Sequence, residues 1–127
     1  MIKFLKSIFH ISILLLITIS FFPGSLPGFL FYSDWGLQPN FIENPFGTTI
    51  NHFIYYVCVS LLGFFLYLRS KNLKKLIYGL FFLSIILEVI HFIIPNRSFQ
   101  IVDLFGNILG VIVAYFIVKI YLFFNRP

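Results

Sequence analysis

Glu88, His91, Arg97 and Asp103 are the residues whose types and spacing could do chemistry in this chain. Glu88 lies inside an apolar run of helical length, His91 follows about one turn later, and Arg97 and Asp103 flank the start of the next run. A carboxylate in a lipid-spanning segment costs at least ~2–3 kcal/mol, so it is expected to face the protein interior or a cavity and to take a partner. Glu88 or His91 could act as general acid or base, while Arg97 could pair with Glu88 or Asp103 or grip an anionic ligand in fork geometry. A metal site would draw on His52, Glu88, His91 and Asp103. Glu-x-x-His is only half of the di-iron bundle pattern and its second copy is missing, so neither a metal nor a cofactor is expected. Ser84 and Ser98 stand near His91 in sequence, but no nucleophile turn surrounds them.

The elements that must position these residues follow from composition. Of 127 residues, 60% are hydrophobic and 10% charged, which is too little charge to cover a water-soluble domain. The expected partner is therefore the lipid bilayer. The net charge of +5 resides in short basic clusters at the ends of apolar runs, where it signals topology and not nucleic acid. Four runs, at about 4–22, 50–68, 76–94 and 101–123, are long enough to cross a bilayer as helices. The fold expected is an all-α membrane protein, a single domain over 1–127 with four transmembrane helices. Phe21-Phe22-Pro23-Gly24 offers no small-x-small cleavage site, so the first run reads as a retained anchor. The lone Cys58 excludes an internal disulfide and reads as a small buried hydrophobe.

Basic residues set the expected orientation. Lys3 and Lys6, then Arg69, Lys71, Lys74 and Lys75, then Lys119 and Arg126 all fall on one side of the four runs. That side is expected to be cytoplasmic, with both termini inside. Asp34, Glu43 and Arg97 fall opposite. The 23–49 connection mixes Pro and Gly with Phe, Tyr and Trp35, and is expected to lie along the outer membrane surface, where it could fold over the polar cluster as a lid. Arg97 is the one basic residue on the disfavoured side, either snorkelling to phosphates or serving as a fixed guanidinium. The triplet Asn96-Arg97-Ser98 fits a glycosylation acceptor but sits in a turn too tight against the membrane.

Helical spacing brings further residues to the same level. Ser84, Glu88 and His91 share one face of the third run, and Asp103, Asn107, Gly110 and Ala114 share one face of the fourth. An antiparallel turn between these runs puts Glu88 level with Asn107 and His91 level with Asp103. On the second run His52, Tyr56, Ser60 and Gly63 form a third face, with His52 near the level of Asp103. Gly106 and Gly110 make a G-x-x-x-G pattern that would let another helix approach closely.

These residues resemble a known family. Glu88-x-x-His91, Pro95-Asn96-Arg97, then Asp103, Asn107 and Gly110, together with His52-x-x-x-Tyr56, look like the pattern of the VanZ-like family over about 48–119. His91 stands where that family usually has Gln, which introduces a group able to titrate near neutral pH. Thr48-Thr49 stands where it often has Asp-Lys, which removes a charge pair. The resemblance implies an envelope-related role like that of the family's namesake in glycopeptide-antibiotic resistance, and it supplies no reaction.

Two functions are then expected to compete. One is binding or modification of an anionic, lipid-linked or cell-wall ligand, or a peptide-like one, at His52, Tyr56, Glu88, His91, Arg97, Asp103 and Asn107. The other is a helical scaffold or partner-interaction protein in which these groups only satisfy one another. Four short helices without an inverted repeat offer little pathway for a transporter.

Overall fold

The computed structural model describes residues 1–42 and 44–125, so Glu43 and Arg126 of the charge pattern lie outside the described residues. The described chain is helical: α1 (Ile2–Phe21), α2 (Leu26–Tyr32), α3 (Thr49–Leu66), α4 (Leu73–Val89) and α5 (Ile101–Phe124), with a 3-10 turn at Ile90–Phe92 continuing α4. Three of these helices, α1, α3 and α5, are long and apolar enough to cross a membrane. Of the four membrane-length helices expected, three are found, because α4 has 17 residues and falls short of that length. The reason lies downstream. Pro95 has no N–H and its ring clashes with the preceding turn, while Ile94 before it is steered out of the α region. The chain therefore tightens into the 3-10 turn and reverses through Asn96, which adopts φ 58°.

α5 is the centre of the bundle and packs most extensively on α3, then on α4. Its buried residues are Asp103, Gly106, Asn107, Gly110, Val111, Ala114 and Val118, a stripe at three- and four-residue spacing. Small residues in that stripe set the helix separation. A Cβ on Gly110 would stand 2.7 Å from the Phe53 carbonyl oxygen and 2.8 Å from Tyr56 Cβ, and one on Gly106 would stand 3.0 Å from the Thr49 carbonyl oxygen. The rest of the core is Phe9, Tyr56, Val59, Phe64 and Leu80. Leu14, Leu15, Phe82, Ile86, Phe105, Leu109 and Phe116 are exposed, an apolar exterior suited to lipid.

The helices alternate in direction. At one end Gly24 N–H donates to the Pro95 carbonyl (3.2 Å), and Thr49 reaches Asp103. At the other end Lys6 lies over the Tyr67 ring (5.1 Å), and Phe65 meets Tyr121 edge-on. The 23–49 connection contains a helix that the composition did not announce. Ser25 caps α2 by accepting the Gly28 N–H at 3.0 Å, Pro27 occupies its first turn, and Ser33 ends it in the left-handed region. Ser25 N–H to the Trp35 carbonyl (2.7 Å) and Trp35 stacked on Phe22 fold this segment back against the end of α1.

Candidate functional site

The polar residues gather at the Arg97 end of the bundle, in two groups that differ in how completely they are satisfied. The first group ties α3, α4 and α5 together. Thr49 Oγ1–H donates to Asp103 Oδ1 at 2.5 Å, and His52 Nε2 lies 3.8 Å from Asp103 Oδ2. Asn107 Nδ2–H donates to the Ser84 carbonyl at 3.4 Å, which turns its Oδ1 toward His52 Nδ1 at 3.1 Å. Only an Nδ1–H tautomer or the doubly protonated ring can meet that oxygen. Thr49, marked in the sequence only as a departure from the family's Asp-Lys, is the direct partner of Asp103.

The second group surrounds Glu88, which is 2% exposed. Its Oε1 accepts the backbone N–H of Gln100 at 3.1 Å and lies 3.3 Å from His91 Nδ1. Gln100 is the N-cap of α5, so the carboxylate also sits at the positive end of that helix's dipole. His91 thus faces Glu88 one turn away. Its other nitrogen, Nε2, is buried without a partner, as is the hydroxyl of Tyr56.

Arg97 has a role that neither expected reading gave it. Its Nη2–H donates to the Ile19 carbonyl at 2.6 Å and its Nε–H to the Phe22 carbonyl at 3.3 Å, closing the C-terminal end of α1. The Ile19 carbonyl also accepts the Phe22 N–H at 3.3 Å, so Arg97 adds a second donor to it and a first to the Phe22 carbonyl, and a cation there also opposes the helix dipole. Among the described residues Arg97 makes no ion pair with Glu88 or Asp103, so the expected pairing is corrected. Burial pulls its guanidinium below the ordinary arginine range, and the Glu88 charge partly opposes that shift.

A cavity of about 440 Å³ opens between α1, α3 and the end of α4. Its polar wall carries His52, Tyr56, Glu88, His91, Arg97 and Asn107, and its remaining surface is mainly apolar. Asp103, Gly106 and Gly110 lie behind that wall in the α3–α5 interface. Gln38, Pro39, Phe41 and Ile42 of the 23–49 connection line it as well. Cys58 is exposed and lines the same cavity, which corrects its expected burial: it stands on the side of α3 turned away from α5. No cluster of three or more His, Cys, Asp or Glu able to hold a metal ion occurs among the described residues. Gln100 and the α1 carbonyls were missed in the sequence because backbone groups carry no residue signal.

Described residues that are helical, with three helices long and apolar enough to cross a membrane, define a membrane protein. The VanZ/LLP1 family profile matches residues 9–124, and the chain belongs to that family. The match includes α1 and the connection after it, beyond the 48–119 region that carries the quoted residues. No curated protein and no solved structure matches the chain.

Proposed function

We propose that this protein binds an anionic or peptide-like ligand of the cell envelope in the cavity at its Arg97 end, on the outer side of the cell membrane. In this reading α4 and its 3-10 turn form a fourth, short crossing, and both termini are cytoplasmic. The family's link to glycopeptide resistance favours an envelope ligand. The observation that carries the reading is that, of four buried polar side-chain atoms without a partner among the described residues, three (Asn51 Oδ1, Tyr56 Oη and His91 Nε2) belong to residues lining that cavity, and only Ser60 Oγ does not. A buried polar atom without a partner costs about 1–3 kcal/mol, and a pure scaffold has no reason to gather three around one cavity. The Thr49–Asp103–His52–Asn107–Ser84 chain, by contrast, is satisfied and serves packing.

Tyr56→Phe separates the two roles. Its hydroxyl bonds nothing in the protein, so its loss is neutral or slightly stabilising for the fold. In a glycopeptide-susceptible host, expression of the wild type is expected to raise the inhibitory concentration of the drug, and Tyr56→Phe to abolish that gain at equal abundance and unchanged thermal midpoint. Full protection by Tyr56→Phe would remove the cavity from the function and leave the helical scaffold.

A further inference from the structure

The cavity has two boundaries of different character, and the difference bears on how a ligand reaches it. Toward the helix ends it is covered by Gln38, Pro39, Phe41 and Ile42 of the connection, which Asn51 holds by donating from Nδ2 to the Pro39 carbonyl at 3.1 Å. Toward the side it is bounded only by α1 and α3. Two ties hold those helices around it. Arg97 fastens the end of α1 through the Ile19 and Phe22 carbonyls, and Tyr55 Oη–H of α3 donates to the Ser12 carbonyl of α1 at 2.6 Å.

The side of the cavity between α1 and α3, where Tyr55 crosses, forms a window. Leu16 of α1 forms one jamb; Ile54 and Cys58, one turn apart on α3 and both exposed, form the other. Cys58 is nine residues from the start of α3 at Thr49, which at about 1.5 Å per residue sets it roughly 14 Å below the helix end. In a helix that crosses a membrane, that depth is within hydrocarbon. The window therefore faces acyl chains, and the polar wall stands behind it.

We infer that the cavity takes a membrane amphiphile sideways through the α1–α3 window, its phosphate head meeting Arg97, Tyr56 and His91 and its hydrocarbon chain lying between Leu16 and Cys58. This rests on the ligand-binding reading above and adds to it the ligand's class and route. The head chemistry follows from the free groups. Arg97 uses Nε and Nη2 on α1 and has Nη1 left to donate; Tyr56 Oη can donate or accept. With Nδ1–H directed at Glu88, neutral His91 offers an Nε2 lone pair and needs a donor. A phosphomonoester monoanion supplies acceptor oxygens and one O–H together. A carboxylate supplies acceptors alone.

The test uses the full-length protein in phosphatidylcholine nanodiscs with radiolabelled dodecyl phosphate, counted as binding above that of empty discs. Saturable binding is expected, weakened about 10-fold or more by Tyr56→Phe, as loss of a hydrogen bond to a charged group predicts. Association is expected to slow several-fold in Cys58→Phe, a substitution at an exposed position that narrows the window and leaves the polar wall intact. Displacement by phosphatidate would assign the ligand to glycerophospholipids and displacement by farnesyl phosphate to single-chain carriers; either supports the inference. Equal displacement by dodecanol would overturn it, since the polar wall would then select no anion. Inorganic phosphate or phosphoserine binding as tightly as dodecyl phosphate, or an unchanged association rate in Cys58→Phe, would overturn the lateral route while leaving a ligand site in place. Absence of saturable binding by all of these compounds to folded wild type would overturn the phosphate amphiphile, while loss of protection in Tyr56→Phe would still support a ligand of the other, peptide-like kind.

Discussion

At the residue scale, the need of Glu88 for partners was legible in the sequence, because a carboxylate among Leu, Ile and Val cannot remain bare. Which partners it would find was not legible. The sequence names side chains, and the candidate among them was Arg97, whereas the structure gives Glu88 a backbone N–H at Gln100 and the His91 ring. Arg97 in turn went to the carbonyls of a helix 75 and more positions away, which no local spacing encodes. A prediction follows for Glu88. Glu88→Gln keeps an oxygen for the Gln100 N–H, but Glu88→Ala orphans both that donor and the His91 Nδ1–H, at about 1–3 kcal/mol each. Equilibrium unfolding in mixed detergent micelles is expected to rank the proteins wild type, then Gln, then Ala, with Ala clearly the weakest. Equal stability of the Gln and Ala variants would mean that the Gln100 contact contributes nothing.

At the element scale, the α5 face was readable because a helix repeats every 3.6 residues and small or polar residues recur on it at that period. Asp103, Asn107, Gly110 and Ala114 are all buried, and Gly106 joins them. The early end of α4 was less readable. Hydropathy carries on through Ile94, and only the proline at 95 marks where the helical hydrogen bonds must stop. α2 was hidden for the opposite reason, since its seven residues are too few for periodicity and its cap is a single serine. Helix contact at Gly110 yields a measurable consequence. The missing Cβ would fall 2.7 Å from a backbone oxygen of α3, which cannot swing aside as a side chain can. Gly110→Ala is expected to lower stability by about 1–3 kcal/mol through overpacking. Gly79→Ala is the matched control, since nothing lies within 4 Å of the added carbon. Its thermal midpoint is expected to equal or exceed that of wild type, because alanine is the better helix former.

At the scale of the whole molecule, the cavity was not legible, since it forms only when the 23–49 connection folds back and α1 is tied at two heights. What the sequence does carry is the charge asymmetry. Lys3, Lys6, Arg69, Lys71, Lys74, Lys75 and Lys119 all lie toward the end of the bundle opposite Arg97, because the helices alternate in direction. Positive residues in short loops are retained on the cytoplasmic side, so in the proposed reading this distribution turns Arg97 and the cavity outward. The orientation decides which chemistry the site can meet: an outward cavity samples outer-leaflet lipids and envelope precursors, an inward one cytoplasmic metabolites. Reporter fusions at Asn72 and Gln38 distinguish these cases. Asn72, between α3 and α4, is expected to report inside, and Gln38, in the wall of the cavity, outside. The inverse pattern would put the cavity on the cytoplasmic face, and the envelope ligand would then have no access to Arg97, Tyr56 and His91 even though their geometry stayed the same.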